Sequence, residues 1–342
     1  MASHPKTLQG RYAAIDAVCL AFVAGLILVC IAAPSRVPGC ASVAGGLCAA
    51  GTLYCAASAA TRLLRDGQAS TWAITAGVTL LLSYLYQAIA PFQHVLVRGW
   101  LDGLLITWER GVTGTECTLA LQSIACRWIT EWMMFAYVAY VPLLPVTSLL
   151  CCRTGGAAAA REFLLALAAT NTACFALFLV IPVAGPLFYQ PEAYSVPLTG
   201  GFFTWCAGLL HASAHYPGGS LPSPHCASTT VMLVMLYRHN RRAFAVALPT
   251  LLSIYLSTVY GRYHYAWDSA AGILMALAMI RVCPRIEKLM TWIASSLRNA
   301  PRYDRSPSLR ALCAKQSPPG RHASLATAKN ADCFVAEKRS SQ

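Results

Sequence analysis

Residues 222–268 read PSPHCASTTVMLVMLYRHNRRAFAVALPTLLSIYLSTVYGRYHYAWD, and this stretch decides the fold. Two apolar runs, 224–237 and 243–260, flank a basic turn at 238–242. Backbone polar groups in lipid must be hydrogen-bonded within the chain, so apolar runs joined by a charged turn are typical of membrane helices. The stretch predicts a helical hairpin whose two polar ends lie on the same side of a membrane.

Six further apolar segments of about 20 residues continue this pattern on both sides of the hairpin. They are residues 12–33, 39–60, 71–91, 128–150, 162–182 and 265–283. Of the 342 residues, 57% are hydrophobic and only 11% are charged, whereas a soluble domain carries about a quarter charged residues. The sequence therefore predicts an all-α, polytopic membrane helical bundle of about eight spans, and it excludes a soluble fold and a coiled coil.

The spans and the charges divide the chain into three predicted regions: an N-terminal pair of spans (1–65), a membrane core (66–283) and a basic tail (284–342). Twelve of the 26 Lys and Arg residues lie between Arg281 and Arg339. The tail is too polar to bury a core, so we expect it to be disordered. The net charge of +13 fits a tail beside anionic lipid headgroups, and we expect no nucleic-acid partner because no folded basic module is present.

Basic residues predict the orientation of the spans, because cytoplasmic connections carry an excess of Lys and Arg. The connection from Pro182 to Pro224 has neither residue, so we expect it on the extracytoplasmic face of the plasma membrane. The same face would carry an interfacial helix within 98–127, where Trp100, Leu104 and Trp108 form an apolar stripe. Both termini would be cytoplasmic, together with these basic residues: Lys6, Arg11, Arg62, Arg65, Arg153, Arg161, Arg238, Arg241 and Arg242.

Two polar clusters stand at the ends of the hairpin. In the first, Ser223 suits the N-cap and Pro224 the first position of a helix that starts before His225, and free N–H groups at a helix start bind anions such as phosphate. In the second, His264 and Asp268 are four residues apart and share one helix face. An Asp that accepts a hydrogen bond from one imidazole nitrogen leaves the other nitrogen as a nucleophile or base. The alternative for the first cluster is an ordinary helix start, and for the second it is an ion pair that holds a helix end.

Cysteine and histidine spacing does not predict a metal site. Most of the 15 cysteines lie inside apolar runs, and the chain contains no Cys-x-x-Cys pair. His211 and His215 are spaced like zinc ligands on a helix, but no third ligand stands at a useful distance. We expect them to be structural or to contact a headgroup, with a metal site as the alternative. Glu131 is expected to cap its own helix, with a role in ordering the site as the alternative.

The two clusters resemble the boxes of the type-2 phosphatidic acid phosphatase/haloperoxidase superfamily. That superfamily carries Pro-Ser-x-His and, one helical hairpin later, Ser-Arg-x5-His-x3-Asp; here these are Pro222–His225 and Ser257–Asp268, with Thr258 at the position of the Arg. The resemblance covers residues 95–283. Further matching pieces resemble the branch of the inositol phosphoryl ceramide synthases: Leu101-Asp102-Gly103, Thr130-Glu131, Tyr137, Tyr140 and 181–186.

The resemblance implies a six-helix phosphatase-like core and a chemistry for each candidate residue. His264 would attack phosphorus, Asp268 would orient it, and His225 would act as general acid and then base. Arg262 and Ser223 would bind the phosphate, and neither a metal nor another cofactor would be needed. The substrate would be a phospholipid or other lipid phosphate, with water or a lipid hydroxyl as acceptor. The alternative is a non-catalytic membrane scaffold whose His and Asp residues are structural.

Overall fold

The computed structural model describes residues 12–61, 63–64 and 67–299, and within these residues the chain is helical with no strand. Turns of 3-10 helix connect some of the α-helices, at Pro34–Arg36, Ala90–Phe92, Leu121–Ile124 and Pro191–Ala193. The α-helices are α1 (Ala13–Ala32), α2 (Cys40–Thr61), α3 (Gly67–Ala88), α4 (Asp102–Thr113), α5 (Cys117–Ala120), α6 (Arg127–Phe178), α7 (Pro186–Tyr189), α8 (Phe202–Ala214), α9 (Pro224–His239), α10 (Arg241–Tyr260) and α11 (Ala266–Asn299).

The predicted all-α membrane bundle is confirmed. Among the described residues, six helices are long and apolar enough to cross a membrane: α1, α2, α3, α6, α10 and α11. The 52-residue α6 contains two of the predicted segments, and α9, with 16 residues, contains another. All eight predicted segments thus coincide with helices, while the number of crossings stays a prediction.

The chain reverses direction inside α6 at Gly156, whose backbone is non-helical (φ 68°, ψ −172°). A residue with a Cβ is strained at such a positive φ, which explains the glycine. On either side of the break, Leu150 and Glu162 both contact the α9–α10 turn: the carbonyl of Leu150 accepts from Asn240, and Glu162 pairs with Arg238 and His239. The two predicted spans are therefore antiparallel arms joined by a single residue.

The first helices pack on the second arm of α6 through aromatic and polar contacts. Phe22 of α1 lies 6.1 Å from Phe175, measured between ring centroids. Asp16 accepts hydrogen bonds from Tyr54 (2.9 Å) and Ser58 (2.9 Å), which ties α1 to α2. A carboxylate at this depth is stabilised by such donors, because an unpaired charge in a membrane helix is costly.

Within 98–127, where the sequence predicts an interfacial helix, the structure has α4, which begins at Asp102, so Trp100 precedes it. The outer face of α4 exposes Leu104, Trp108 and Val112, the last with 71% of its surface accessible. The inner face carries two buried carboxylates, Asp102 and Glu109. Such two-sidedness is typical of a helix that lies in the plane of a membrane interface.

Residues up to Ser295 form one compact unit, and residues from Ser296 form a second, of which only the end of α11 is described. Residues 284–299 of the predicted tail are helical rather than disordered, because they continue α11. The tail from 300 onward and the basic residues Lys6, Arg11, Arg62 and Arg65 lie outside the described residues. The predicted region boundaries at 65 and 283 stay predictions. Within the first unit, the end of the bundle at Gly156 carries Arg153, Arg161 and the basic turn, and the opposite end carries His225 and His264.

Candidate active site

Residues 223–225 form the start of α9, as predicted. Ser223 is the N-cap, and its hydroxyl accepts a hydrogen bond from the backbone N–H of Cys226 (3.4 Å). Its backbone N–H in turn donates to the carbonyl of Asp268 (2.9 Å), which joins the two predicted boxes. The boxes approach closely at Gly272 of α11, where a Cβ would lie 2.5 Å from the carbonyl oxygen of Ser223.

The second box is a tight turn between α10 and α11. The carbonyl of Thr258 accepts from the backbone N–H groups of Tyr263 (3.0 Å) and His264 (3.1 Å), and Arg262 adopts a positive φ of 66°. Thr258 is fully buried between helices, where its hydroxyl approaches Cys226 and Ser269. The position at which the superfamily carries Arg therefore serves helix packing in this chain.

His264 and Asp268 are both buried and share their contacts with a third residue, Ser220. His264 Nδ1 lies 3.0 Å from the carbonyl oxygen of Ser220, 3.2 Å from its Oγ and 3.5 Å from Asp268 Oδ2. Asp268 Oδ2 accepts from the Ser220 hydroxyl (2.5 Å) and from the backbone N–H of Tyr265 (2.9 Å). Every hydrogen bond of the His264 ring to a described residue involves Nδ1, so Nε2 is the nitrogen left for a reactant.

The hairpin brings the two predicted histidines together, with ring centroids of His225 and His264 separated by 5.7 Å. Two tyrosines of α6 hold the His225 ring: Tyr137 stacks on it at 5.1 Å and Tyr140 lies 4.6 Å away. Tyr137 also stacks on Tyr263 at 4.4 Å, next to His264. The tyrosines therefore fix the orientation of the His225 imidazole, whereas Ser220 holds that of His264.

Two carboxylates of α4 order the second box from the other side. Asp102 accepts from the backbone N–H groups of Ala184 (2.8 Å) and Gly185 (2.9 Å) and from the hydroxyl of Tyr265 (3.0 Å). Glu109 accepts from the backbone N–H of Ala266, the first residue of α11 (3.0 Å). Burial raises the pKa of both carboxyls. Acidic groups near a helix start are stabilised by its free N–H groups and dipole.

Arg262 makes contacts that its sequence position did not reveal. One guanidinium nitrogen, Nη2, donates to the carbonyl of Val196, and the guanidinium carbon lies 4.4 Å above the ring of Tyr194. Nε is buried without a partner among the described residues. Arg262 therefore fastens the loop that contains residues 194–196 through Nη2, and its buried Nε is still available as a donor.

Glu131 caps a helix, but the expectation that it caps its own helix is wrong. Its carboxylate accepts from the backbone N–H groups of Gly201 (2.6 Å), Phe203 (2.6 Å) and Thr204 (3.1 Å), at the start of α8. The reason is geometric: Glu131 lies past the first turn of its own helix, and its side chain satisfies the free N–H groups of another helix that begins beside it. The contact anchors α8, whose C-cap is His215.

His211 lies in the last turn of α8 and His215 is its C-cap, with ring centroids 4.8 Å apart. His215 Nε2 lies 2.8 Å from the hydroxyl oxygen of Tyr137, and its ring lies 5.1 Å from that of Tyr263. His215 also lines a cavity of about 10 Å³ together with Ser220 and His264, which has room for about one water molecule. No group of three or more His, Cys, Asp or Glu residues within the described ranges is arranged to hold a metal ion.

Sequence reasoning missed Ser220 and Glu109. Ser220 follows two glycines with positive φ, Gly218 and Gly219, and a Gly-Gly pair directly before the first box was a signal for a close backbone approach. Glu109 lies seven residues after Asp102, on the same face of α4. That spacing could have marked a second inward carboxylate.

The chain was compared with known families, curated proteins and solved structures. A family model described as PAP2 superfamily matches residues 103–282, which is more than half of the chain. The matched range begins in α4 and ends in α11, and it includes both boxes. No curated protein and no solved structure matches.

Proposed function

Because the chain belongs to the PAP2 superfamily, we propose that it is a membrane enzyme that transfers phosphoryl groups of lipid phosphates through a phosphohistidine. Membership indicates a phosphoesterase of the lipid phosphatase type. The observation that carries the proposal is the His264 ring, whose Nδ1 faces the Ser220 carbonyl and Asp268 while His225 lies 5.7 Å away. This arrangement can support nucleophilic attack at phosphorus by Nε2.

In the first step, His264 Nε2 forms a bond to phosphorus as the bond to the leaving oxygen breaks, and His225 donates a proton to that oxygen. The positive charge that develops on His264 is stabilised by Asp268 across 3.5 Å. In the second step, His225 takes a proton from the attacking hydroxyl, whose oxygen displaces the imidazole. Water as the nucleophile gives hydrolysis, whereas a lipid hydroxyl gives headgroup transfer.

The phosphoryl oxygens have donors at the start of α9 and in the second box. The Ser223 hydroxyl accepts from Cys226 N–H and keeps its own proton for a phosphate oxygen. Arg262 contributes positive charge and the unpartnered Nε. Charge-assisted hydrogen bonds of this kind are stronger than neutral ones and stabilise the transition state without a metal ion.

An apolar groove beside the second box supports a lipid as substrate. The groove has a volume of about 710 Å³ and is lined by α4 and α11, with Trp108, Trp267 and Leu274 among its walls. Leu221, the neighbour of Ser220, lies at its inner side. Exposed tryptophans are typical of the membrane interface, so an acyl chain in this groove would hold its headgroup near Ser220 and Asp268.

The identity of the acceptor separates two enzyme classes. The pieces that resemble inositol phosphoryl ceramide synthases, such as residues 181–186, support phosphotransfer to a ceramide-like hydroxyl and a role in sphingolipid metabolism. In the structure this segment is held by Asp102, through Ala184 and Gly185. A non-catalytic scaffold is the alternative from another class, and it would keep these contacts without any turnover.

Purified protein in mixed micelles with 32P-labelled phosphatidic acid tests the function. Release of labelled phosphate indicates hydrolysis, and labelled ceramide phosphate formed from added ceramide, or labelled phosphatidic acid with the acyl chains of an added diacylglycerol of different chain length, indicates transfer. An alkaline quench should trap labelled phosphohistidine in the wild type and in His94→Gln, a control at the same end of the bundle, but not in His264→Ala. A well-folded wild type without turnover on any lipid phosphate would support the scaffold.

We also propose that the site faces the extracytoplasmic side of the plasma membrane and that both termini are cytoplasmic. The support is the cluster of Arg153, Arg161 and the 238–242 turn at the opposite end of the bundle. With the exposed native cysteines Cys48, Cys55 and Cys126 changed to Ser, an impermeant thiol reagent should label Ser195→Cys but not Thr154→Cys in intact cells. The reverse pattern would move the chemistry to the cytoplasmic leaflet.

A further inference from the structure

Three histidines around the candidate site each have the same ring nitrogen without a hydrogen-bond partner. Nδ1 of His211, His215 and His225 is buried in each case and has no hydrogen-bond partner among the described residues. Buried polar atoms of proteins are nearly always paired, so an unpaired one calls for a specific explanation, such as a ligand. Three such atoms at one end of the bundle indicate a ligand with several polar atoms.

His215 is the one of the pair on α8 that reaches the cavity. It lines that cavity together with His264 and Ser220. Its Nε2 is engaged at 2.8 Å by the hydroxyl of Tyr137, the residue that stacks on His225. Because Nε2 is occupied, Nδ1 is the ring nitrogen that remains for a ligand.

The protonation of His215 decides the kind of ligand. Burial, His211 and His264 lower the pKa of His215 to about 4 against a weaker contact with the Leu210 carbonyl that raises it, so the ring is neutral near pH 7. With the Tyr137 hydroxyl donating a hydrogen bond to Nε2, the tautomer of the neutral ring carries its proton on Nδ1 and is a donor there. A buried donor without a well-formed hydrogen bond favours an acceptor, and an anion oxygen is the strongest acceptor available.

Arg262, the cationic side chain nearest to His264 in sequence, is partly engaged elsewhere. It donates Nη2 to Val196 and lies over Tyr194, and its buried Nε has no partner among the described residues. Thr258, at the position of the superfamily's Arg, is buried between helices. Imidazole N–H groups are therefore important donors to a bound anion in this site, which the two boxes in the sequence did not indicate.

We propose that His215 binds a phosphoryl oxygen of the substrate through Nδ1, which makes it a third histidine of the phosphate site. The inference rests on the proposed function, because it names the group that holds the substrate phosphate. His215 forms no covalent bond and transfers no proton; it donates one hydrogen bond to the phosphoryl group. Tyr137 acts as a positioning residue, because its hydroxyl fixes the imidazole through Nε2.

Two amide substitutions of His215 distinguish a binding role from a structural one. The amide nitrogen of His215→Asn falls near the position of Nδ1, whereas that of His215→Gln falls near Nε2, beside the Tyr137 hydroxyl. The Asn variant should therefore keep the phosphate contact, and the Gln variant should keep the Tyr137 contact and lose the phosphate. His94→Gln is the matched control, since His94 is exposed and meets the Trp100 ring edge-on.

Two readouts are needed. The first is the KM and kcat for phosphatidic acid in mixed micelles. His215→Gln should raise KM at least ten-fold with a smaller change in kcat. Both constants of His215→Asn and His94→Gln should stay within about three-fold of the wild type. The second is binding of inorganic phosphate to protein that carries His264→Ala, followed by 31P NMR line broadening. Adding His215→Gln to that background should weaken the affinity ten-fold, and adding His215→Asn should not.

The outcomes separate this inference from the proposed function. Unchanged KM and phosphate affinity in a folded His215→Gln protein would overturn the inference and leave the function intact. A loss confined to inorganic phosphate would overturn the contact with the lipid substrate, and equal losses in the Asn and Gln variants would indicate a structural role. A wild type that binds phosphate through His215 but turns over no lipid phosphate would refute the function and support the anion site.

Discussion

Replacing Asp268 by Asn removes one charge from the site and keeps its shape. The oxygen of the new amide could still accept from the Ser220 hydroxyl and the N–H of Tyr265, which now bond the carboxylate at 2.5 and 2.9 Å. What is lost is the attraction between the carboxylate and the positive charge on phosphorylated His264. At 3.5 Å and an effective dielectric constant of about 20, that attraction is about 5 kcal/mol. We therefore expect kcat to fall by about three to four orders of magnitude with little change in KM.

Two further variants make this expectation specific. Ser220→Ala removes the hydroxyl bond to Asp268 but keeps the backbone carbonyl that lies 3.0 Å from His264 Nδ1; since a hydrogen bond to a charged group contributes about 1.5–3 kcal/mol, we expect a loss of about ten- to a hundred-fold. Asp16→Asn, in a carboxylate of α1 bonded by Tyr54 and Ser58, controls for general effects on folding.

The assay is the initial rate of phosphate release from phosphatidic acid, with the elution volume on size exclusion as the check on folding. The reasoning would be refuted if folded Asp268→Asn kept more than a tenth of the wild-type kcat. In that case the Ser220 carbonyl alone would orient His264, and the charge of Asp268 would serve the helix start of α11. A loss as large in Asp16→Asn would show that the effect is not local.

Three further predictions concern packing, capping and pH. Gly272→Ala should lower both kcat and the thermal midpoint, because its Cβ would lie 2.5 Å from the carbonyl of Ser223; Gly208→Ala, where no atom lies within 4 Å, should change neither. Glu131→Gln should speed limited proteolysis within 186–214, because α8 loses its charged cap, with a smaller loss of kcat than Asp268→Asn; unchanged proteolysis would contradict the capping role. The pKa of His215 falls from 6.5 to about 4 on folding. The unfolded chain therefore binds a proton at this residue before the folded chain does, so the free energy of unfolding is highest above pH 6.5 and decreases as the pH falls toward 4. Between pH 7.5 and 4.5, the thermal midpoint of the wild type should fall more than that of His215→Asn, and equal falls would refute this.

Most of the helices could be predicted from the sequence because they depend on local composition. The apolar runs 224–237 and 243–260, with their basic turn, specify a hairpin without help from the rest of the chain. The N-cap at Ser223 follows from the same local chemistry. Placing His225 near His264 needed only the hairpin, and placing Asp268 on the face of His264 needed only the helix period.

The remaining features of the site depend on contacts between residues far apart in the chain, which the sequence alone did not decide. Ser220 meets His264 across 44 positions, and Glu109 meets the start of α11 across 157. From the sequence, Arg262 would be a cation free to bind phosphate, but in the structure its guanidinium lies over the ring of Tyr194. The sequence by itself determined which segments are helical and which residues are candidates for the chemistry, because these follow from side-chain hydrophobicity, local motifs and helix periodicity. Only the tertiary structure decided the hydrogen-bond partners of each catalytic candidate, because a partner is whatever group packing brings within about 3 Å.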